Sequence, residues 1–366
     1  MARINWDGFP LLREQEQAWR WLHFTANIGR APNTIDAYGR AVEDFLRFCA
    51  TSEVDPVAAT PDVVADWIGE MHARTLTAAG LELGGVGLAN ATIQQRVVAL
   101  RSFYDYLVED GLRERNPVRR GQSSRYGGRA RHGLVGRVEK APWIPNESAW
   151  ERMLVELGRE PLRNRLMAAF AYDGALRREE LVQLDVADLE PAHGLIHLRA
   201  ETTKSKRART VAFGSASAQL LVAYLRERRG AFGRVDGPLF RSVSRRNHGD
   251  PIGVWSWSKI IEAAAERAGL ARFSTHTFRH LRLTDLARAE WTIDQIAQYA
   301  GHRNLATTMV YIHLSGREIA ERFHKANTSL HIDRDRLLAS MLAAPDAPAR
   351  GGATPDDTTL PGGGVR

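Results

Sequence analysis

The fold of this 366-residue chain is constrained most by two stretches in which apolar residues recur at helical spacing, and by the basic segment that separates them. Between Arg113 and Lys140 the sequence carries eight arginines and one lysine against two glutamates, with glycine, serine and proline interleaved. The resulting surplus of positive charge equals the net charge of the whole chain, +7. Such a composition is typical of a flexible linker. We therefore predict globular units over residues 1–117 and 142–328, joined by a basic linker over 118–141.

The first unit is predicted to be helical. Apolar residues recur at 3.6-residue spacing over 33–49 and 92–110. In the former segment the shared face comprises Ile35, Tyr38, Val42, Phe45, Leu46 and Cys49. Asn33 and Asp36 are predicted to cap this helix. The glycine-rich residues 79–89 are predicted to form a loop.

The second unit is predicted to combine helices with a short sheet. Helical spacing over 147–173 gives way to period-two alternation at 195–198 and 210–213, which indicates antiparallel strands, before helices resume. Residues 340–366 combine proline, glycine and charge with few apolar side chains, and are predicted to be disordered. The predicted fold class is mainly α with a small antiparallel β-sheet, an α+β protein.

Cysteine content and hydropathy exclude several classes of protein. Cys49 is the only cysteine, which excludes an intramolecular disulfide framework and a cysteine-rich zinc module. Its place on an apolar helical face predicts a buried, inert thiol. No apolar run approaches the length of a membrane span, and the first residues show no signal-peptide pattern. We expect a cytoplasmic, nucleoid-associated protein with no membrane partner.

Residues suited to phosphoryl transfer are concentrated in the second unit. Arg177, in A-L-R-x-x-E-L, and Arg279, in H-T-F-R, offer planar, permanently charged clamps for phosphate oxygens. His276 and His302 can exchange protons near neutral pH. Tyr311, nine residues after His302, supplies a hydroxyl that can form a covalent phosphoryl ester. Together these residues indicate phosphodiester cleavage by a tyrosine nucleophile.

The order and spacing of these motifs resemble the tyrosine recombinases, also called the phage integrase family, over residues 10–328. The first unit resembles that family's helical, SAM-like core-binding domain, and the second resembles its catalytic domain. The resemblance implies a site-specific DNA recombinase that works through a 3′-phosphotyrosyl intermediate, with no cofactor and no metal. Integration, excision, transposition and dimer resolution are all open as biological roles.

The resemblance also implies a role for each motif residue. Arg177 and Arg279 would clamp the scissile phosphate, to which His302 would donate a hydrogen bond. His276 would be the base that takes the proton of the nucleophile, Tyr311.

Further basic and acidic residues follow from the same resemblance. Glu180 would support the first arginine. Lys204 matches the mobile lysine that protonates the leaving 5′-oxygen, with Lys206 as rival because the internal lysine of the family pattern is displaced here by one position. Independently of the resemblance, the basic charge predicts contacts with DNA, with a solvated charge run as the alternative for the linker, and the residues are Arg119, Arg120, Arg125, Arg129, Arg131, Lys206, Arg207 and Arg209.

Some alternatives stay open at this level. His276 and His280 have the spacing of a helical zinc motif but lack its glutamate and a third ligand, so His280 is predicted to pack or to form a hydrogen bond. A type IB topoisomerase and a non-catalytic DNA-binding regulator are the rival functions.

The expected partners follow from strand exchange. They are double-stranded DNA with inverted-repeat recombination sites, a homotetramer on that DNA, and accessory DNA-bending or partner recombinase proteins. The segment after Tyr311, with Ile319 and Phe323 at helical spacing, is expected to hold neighbouring protomers together.

Overall fold

The computed structural model describes residues 4–78, 81–118, 134–136, 141–233 and 236–315. Contacts divide the chain into two compact units, Met1–Lys140 and Ala141–Arg366. Each unit has a hydrophobic core of its own. None of the helices in the described ranges is long and apolar enough to cross a membrane.

Five α-helices and a β-hairpin form the described part of the first unit. The helices are α1 (Pro10–Glu14), α2 (Glu16–Asn27), α3 (Pro32–Thr51), α4 (Pro61–Ala73) and α5 (Asn90–Glu109). The antiparallel hairpin consists of β1 (Thr75–Ala78) and β2 (Leu81–Val86). Thr60 caps α4, because its hydroxyl oxygen accepts a hydrogen bond from the backbone N–H of Val63.

The core of the first unit includes the predicted apolar face of α3. Its buried members are Ile35, Val42, Phe45, Leu46 and Cys49. Phe45 meets Trp67 of α4 edge-on, with ring centroids 5.2 Å apart. Burial raises the pKa of the Cys49 thiol to about 12, so the reactive thiolate does not form near neutral pH. The predicted inert cysteine is confirmed.

Two local predictions for the first unit are wrong. No side chain caps α3, which begins at Pro32, and Asp36 instead pairs with Arg40 one turn along the helix. Proline has no N–H, so one fewer donor at this helix start needs a capping oxygen. The glycine-rich segment includes strand β2 rather than being entirely loop. Gly87, which follows β2, has φ 82°, and a Cβ there would lie 2.3 Å from the carbonyl oxygen of His72.

The start of the basic segment belongs to the first unit. The guanidinium of Arg113 donates to the carbonyl oxygen of Val57 and lies 5.0 Å from the centroid of the Tyr104 ring. Val118 and Val135 are buried in the same core. Arg113 is therefore a structural cation. The other basic residues expected to contact DNA from the linker lie outside the described residues: Arg119, Arg120, Arg125, Arg129 and Arg131. The predicted disordered tail, 340–366, also lies outside them.

The described part of the second unit combines α-helices with a three-stranded sheet. The helices are α6 (Glu147–Gly158), α7 (Leu162–Asp173), α8 (Arg178–Val182), α9 (Ser215–Phe232), α10 (Val254–Arg267), α11 (Thr275–Arg288), α12 (Ile293–Ala300) and α13 (Ala306–Ser315). The strands are β3 (Leu189–Glu190), β4 (Leu195–Leu198) and β5 (Arg209–Ala212), antiparallel in the order β3–β4–β5. The predicted α+β class, mainly α with a small antiparallel sheet, is confirmed.

Helix α11 is held within the second unit by aromatic packing. Phe278 is fully buried, with ring centroids 6.1 Å from Trp150 of α6 and 6.4 Å from Trp257 of α10. Helices α7, α12 and α13 also pack against α11. The hydroxyl of Tyr299 in α12 donates to the carbonyl oxygen of Asp173 at 2.7 Å, which fixes α12 to the end of α7. These contacts fix α11, α12 and α13 relative to one another within the second unit.

Candidate active site

Arg177 lies where one helix ends and another begins. Gly174 is the C-cap of α7, and Arg177 is the N-cap of α8. Glu180, one turn into α8, accepts from the backbone N–H of Arg177 and from its Nη1, both at 2.9 Å. Arg177 thus stands at a helix start, and its guanidinium is oriented by a carboxylate.

A second arginine also donates hydrogen bonds to the carboxylate of Glu180. Arg209, at the start of β5, donates from Nη1 and Nη2 to the two carboxylate oxygens at 2.9 and 2.7 Å. Its Nε donates to the carbonyl oxygen of Tyr299 at 3.0 Å. Burial raises the pKa of Glu180, but the hydrogen bonds and charges of Arg209 and Arg177 outweigh it and bring the pKa to about 2. Glu180 is therefore ionised and shared between two arginines.

Arg209, for which a DNA contact was expected, is turned towards protein partners in the free protein. Its side chain is only 6% exposed, and its nitrogens are used by Glu180 and Tyr299. It instead joins β5, α8 and the end of α12. The basic run in the sequence could not reveal this, because the partners lie 29 and 90 residues away in the chain.

The loop between β4 and β5 presents the predicted lysines. Lys204, Lys206 and Arg207 are exposed, whereas Ser205 between the lysines is buried. The carbonyl oxygen of Ser205 accepts a hydrogen bond from the guanidinium of Arg303. The loop that carries both lysine candidates is therefore fastened to the turn between α12 and α13.

Arg279 is the most enclosed cation of the group. It is 1% exposed, and its guanidinium donates to the carbonyl oxygens of Ala175 at 2.7 Å and Ala300 at 2.6 Å. Burial lowers its pKa, and the charge of Arg177 lowers it further. Two like charges held near each other in a poorly solvated place are stabilised by an incoming anion.

His302 lies in the turn that follows α12. Gly301 ends α12 with φ 65°, and α13 begins only at Ala306, so His302 lies between the two helices. Its Nε2 lies 2.8 Å from Nη2 of Arg279, and its Nδ1 lies 2.8 Å from the hydroxyl of Thr308. Because arginine only donates, Nε2 accepts and Nδ1 carries the proton. Burial, with the charge of Arg279, lowers the pKa of His302 to about 3, so the ring is neutral.

Tyr311 lies within α13 and is 4% exposed. Its ring lies nearly parallel to that of His302, with centroids 6.1 Å apart and planes 12° apart. Its hydroxyl oxygen is 3.0 Å from Nδ1 of His280. Burial raises the pKa of the phenol, and Arg279 and Arg177 oppose this rise.

In the structure His280, rather than His276, lies at hydrogen-bonding distance from the hydroxyl of Tyr311. His276 is exposed, and its ring packs edge-on against His280 with centroids 4.8 Å apart. The prediction that His280 forms a hydrogen bond is confirmed. Among the described residues, no three histidine, cysteine, aspartate or glutamate side chains are grouped to hold a metal ion. Residues 276 and 280 differ by one helical turn, so spacing alone did not show which ring faces Tyr311.

Residues 146–318 match the phage integrase family, and residues 20–111 match the N-terminal SAM-like domain of phage integrases. The tyrosine recombinase XerC of Pelotomaculum thermopropionicum is 30% identical over 250 residues, which are 66% of this chain and 76% of that protein. The chain belongs to the phage integrase family of tyrosine recombinases. The XerC of Pelobacter propionicus is 27% identical over 320 residues, 86% of this chain and 96% of that relative. Members of this family cleave and rejoin DNA, and so does this tyrosine recombinase.

Solved structures share the fold of this tyrosine recombinase. One is the XerH recombinase bound to its palindromic difH substrate, with a TM-score of 0.57, 20% identity and coverage of 79% of this chain and 78% of that one. Another is the Tn1549 transposon integrase in complex with transposon right end DNA, with a TM-score of 0.60, 15% identity and coverage of 83% and 98%. At these identities the similarity establishes the fold.

Proposed function

We propose that the protein is a site-specific DNA recombinase in which Tyr311 cuts the strand and holds it as a 3′-phosphotyrosyl ester. The observation that carries this proposal is the contact of Arg279 with His302 and of His302 with Tyr311. Arg177 lies near enough to shift the pKa of Arg279 through its charge. Phosphate-clamping arginines, an imidazole and a phenol are the groups that tyrosine-mediated phosphoryl transfer requires.

The proposed reaction exchanges one phosphodiester for another. The phenol oxygen of Tyr311 attacks phosphorus as its proton passes to a histidine of α11, and the P–O5′ bond breaks as a lysine ammonium of the β4–β5 loop protonates O5′. Arg177 and Arg279 offset the negative charge that accumulates on the phosphorane oxygens. Because the phosphotyrosyl ester conserves the bond energy, a 5′-hydroxyl of another strand can reverse the attack without a nucleotide.

His302 needs a change of partner before it can donate to the phosphate. In the free protein its Nε2 accepts from Arg279, and its one proton faces Thr308. We propose that an incoming phosphate takes the N–H of Arg279. The negative charge then raises the pKa of His302, so that the ring gains a proton on Nε2 and donates it as a hydrogen bond.

The proposed partner is double-stranded DNA with inverted-repeat sites. The names of the relatives support this, since XerH is described on a palindromic site and the Tn1549 integrase on a transposon end. Exchange of four strands needs four nucleophiles, so we propose a homotetramer on DNA. Integration, transposition and dimer resolution, with or without accessory proteins, are the roles that this chemistry can serve.

We also propose a separate role for each part of the chain. Residues 1–117 would form the core-binding domain, 142–328 the catalytic domain and 118–141 a basic strap on the DNA backbone. Lys206 and Arg207, both exposed, support a further backbone contact from the β4–β5 loop.

A nicked suicide substrate tests the nucleophile. On such DNA the cleaved strand end diffuses away, so the covalent adduct accumulates. We expect Tyr311→Phe to form no adduct while its affinity for DNA changes by less than about threefold, because the phenol hydroxyl mainly serves the chemistry. Tyr224→Phe, which removes the hydroxyl of another buried tyrosine of the same unit, should still form the adduct. An adduct in Tyr311→Phe would refute the proposal, and supercoil relaxation without recombinant product would indicate a topoisomerase.

A sulfur leaving group tests which lysine is the acid. A 5′-bridging phosphorothiolate leaves as a thiolate and needs no proton, so it rescues only a missing general acid. We propose Lys204 for this role. Lys204→Met should be slow on ordinary DNA and restored on the sulfur substrate, whereas Lys206→Met should show no such rescue. The reverse result would transfer the role to Lys206.

A further inference from the structure

An arginine of the turn between α12 and α13 holds the loop that carries the two candidate lysines. The guanidinium of Arg303 donates a hydrogen bond to the carbonyl oxygen of Ser205, which lies 98 residues earlier in the chain. Ser205 stands between Lys204 and Lys206 and is buried, whereas both lysines are exposed. The contact therefore fixes the backbone of the loop and leaves the lysine side chains in solvent.

The backbone of this loop has a conformation that needs support. Lys206 has φ 54°, in the left-handed region that residues other than glycine seldom adopt. Its N–H donates to the carbonyl oxygen of Thr203 at 3.1 Å, and the hydroxyl oxygen of Thr203 accepts from the N–H of Arg207 at 3.1 Å. Such a conformation persists where the surrounding structure holds it. Arg303 adds support that comes from outside the loop.

A second link joins the same two parts of the catalytic unit. Arg209, where the loop continues into β5, donates from Nε to the carbonyl oxygen of Tyr299 near the end of α12. Arg303 reaches in the opposite direction, from the turn after α12 to the loop. His302, which contacts Arg279, directly precedes Arg303 in the chain. The position of the lysines is thus coupled to that of groups proposed to hold the phosphate.

We propose that Arg303 is a positioning residue, which holds the lysine-bearing loop beside His302 so that the general acid reaches the leaving oxygen. This inference rests on the proposed function, because it concerns how the loop lysine of that reaction is placed. In the step concerned the P–O5′ bond breaks, and the ammonium transfers one proton to O5′ and is left as a neutral amine. Arg303 exchanges no proton. It acts through the lysine, whose distance from O5′ decides how fast the transfer is.

Two leaving groups on the suicide substrate separate a positioning residue from a phosphate contact. Arg303→Met removes the guanidinium and keeps much of the side-chain length. Under single-turnover conditions with saturating DNA, it should slow adduct formation on ordinary DNA by about 10–100-fold, the usual cost of a misplaced catalytic group. On the 5′-bridging phosphorothiolate, which needs no acid, its rate should lie within about threefold of wild type. An arginine that contacted the phosphate would slow both reactions, since the phosphorane charge develops with either leaving group.

Arg288→Met is the matched control for these rates. It removes an arginine that is also exposed and belongs to the same unit, at the end of α11. Its rate should stay within about threefold of wild type on both substrates. Equal slowing of Arg303→Met on the two substrates would overturn the proposal, and so would a full rate on ordinary DNA.

Hydrogen exchange in the free protein tests the contact without DNA or chemistry. The amides of Lys206 and Arg207 are hydrogen-bonded to Thr203 within the loop. Loss of a hydrogen bond from a charged donor should raise their exchange rates in Arg303→Met by about tenfold. The amides of α9 should exchange at unchanged rates, which also shows that the variant is folded. Unchanged exchange in the loop would refute the supporting role of Arg303.

The results also distinguish this inference from the proposed function. No adduct in the wild type, or an adduct in Tyr311→Phe, would reject the recombinase proposal. If sulfur restores neither Lys204→Met nor Lys206→Met, the proposed general acid is rejected. If it restores one of the lysine variants while Arg303→Met shows no selective loss on ordinary DNA, only the role of Arg303 is rejected.

Discussion

Replacing Arg209 by methionine should destabilise the second unit by about 3 kcal/mol. The side chain of Arg209 is 6% exposed and that of its partner, Glu180, is 1% exposed. Two charge-assisted hydrogen bonds to the carboxylate and one to the carbonyl oxygen of Tyr299 would be lost. Methionine fills much of the same volume, so the effect reports the lost charge more than a cavity.

The magnitude follows from the partners that remain. Removing one member of a buried ion pair costs about 3–5 kcal/mol, because the other charge is left unsolvated. Glu180 would still accept from the backbone and the Nη1 of Arg177, so we expect the lower end of that range. A double variant, Arg209→Met with Glu180→Met, removes both buried charges and should recover part of the lost stability.

Urea unfolding of the full-length protein measures the effect, with hydrogen exchange identifying the transition of Ala141–Arg366. Arg207→Met is the matched control, since this exposed arginine lies two residues away and its loss should change stability by less than about 0.5 kcal/mol. Arg209→Met should also reduce adduct formation, because Arg177 and the His302 turn lose their common support. Equal stabilities for the Arg207 and Arg209 variants would refute the argument.

Three further predictions concern pH, salt and assembly. The pKa values of His280 and His302 in the folded protein, about 4 and 3, lie below the ordinary 6.5. The free energy of unfolding should therefore be highest above pH 6.5 and should fall below it, because the unfolded chain takes up protons there that the folded protein does not. Thermal unfolding between pH 7 and pH 4 measures this decrease. Neutralising four arginines between residues 119 and 131 should lower the slope of log K against log salt by about four times 0.9, and an unchanged slope would exclude a DNA strap. Deleting residues 316–366 should spare DNA binding but abolish recombinant product, and full recombination by the truncated protein would place the protomer contact elsewhere.

The helices could be predicted from the sequence because their apolar spacing directly reflects the face they bury. The face of α3, from Ile35 to Cys49, is an example, and the period-two segments of the second unit became β4 and β5. Strand β2 could not be predicted because its glycines weaken the sequence pattern of a strand. The strand forms by pairing with β1, and this pairing is not visible in the local preferences of its residues.

The candidate site was predictable as a set of residues but not as a set of contacts. Arg177, Arg279 and Tyr311 could be selected by motif and spacing. Which histidine contacts Tyr311 depends on which face of α11 packs against α13. His276 and His280 lie one helical turn apart, so their spacing in the sequence does not show which of them faces α13. The burial of Arg209 likewise arises from partners that are distant in the sequence.

The buried state of Cys49 makes this chain well suited to site-directed labelling. Maleimide and iodoacetamide dyes react with thiolates, and the single native thiol is both inaccessible and held protonated. A cysteine introduced at any exposed position would thus be the one reactive thiol, without prior removal of the native residue. Donor and acceptor dyes placed on separate copies of the chain would then test the proposed homotetramer, because energy transfer between them requires that the copies meet on DNA.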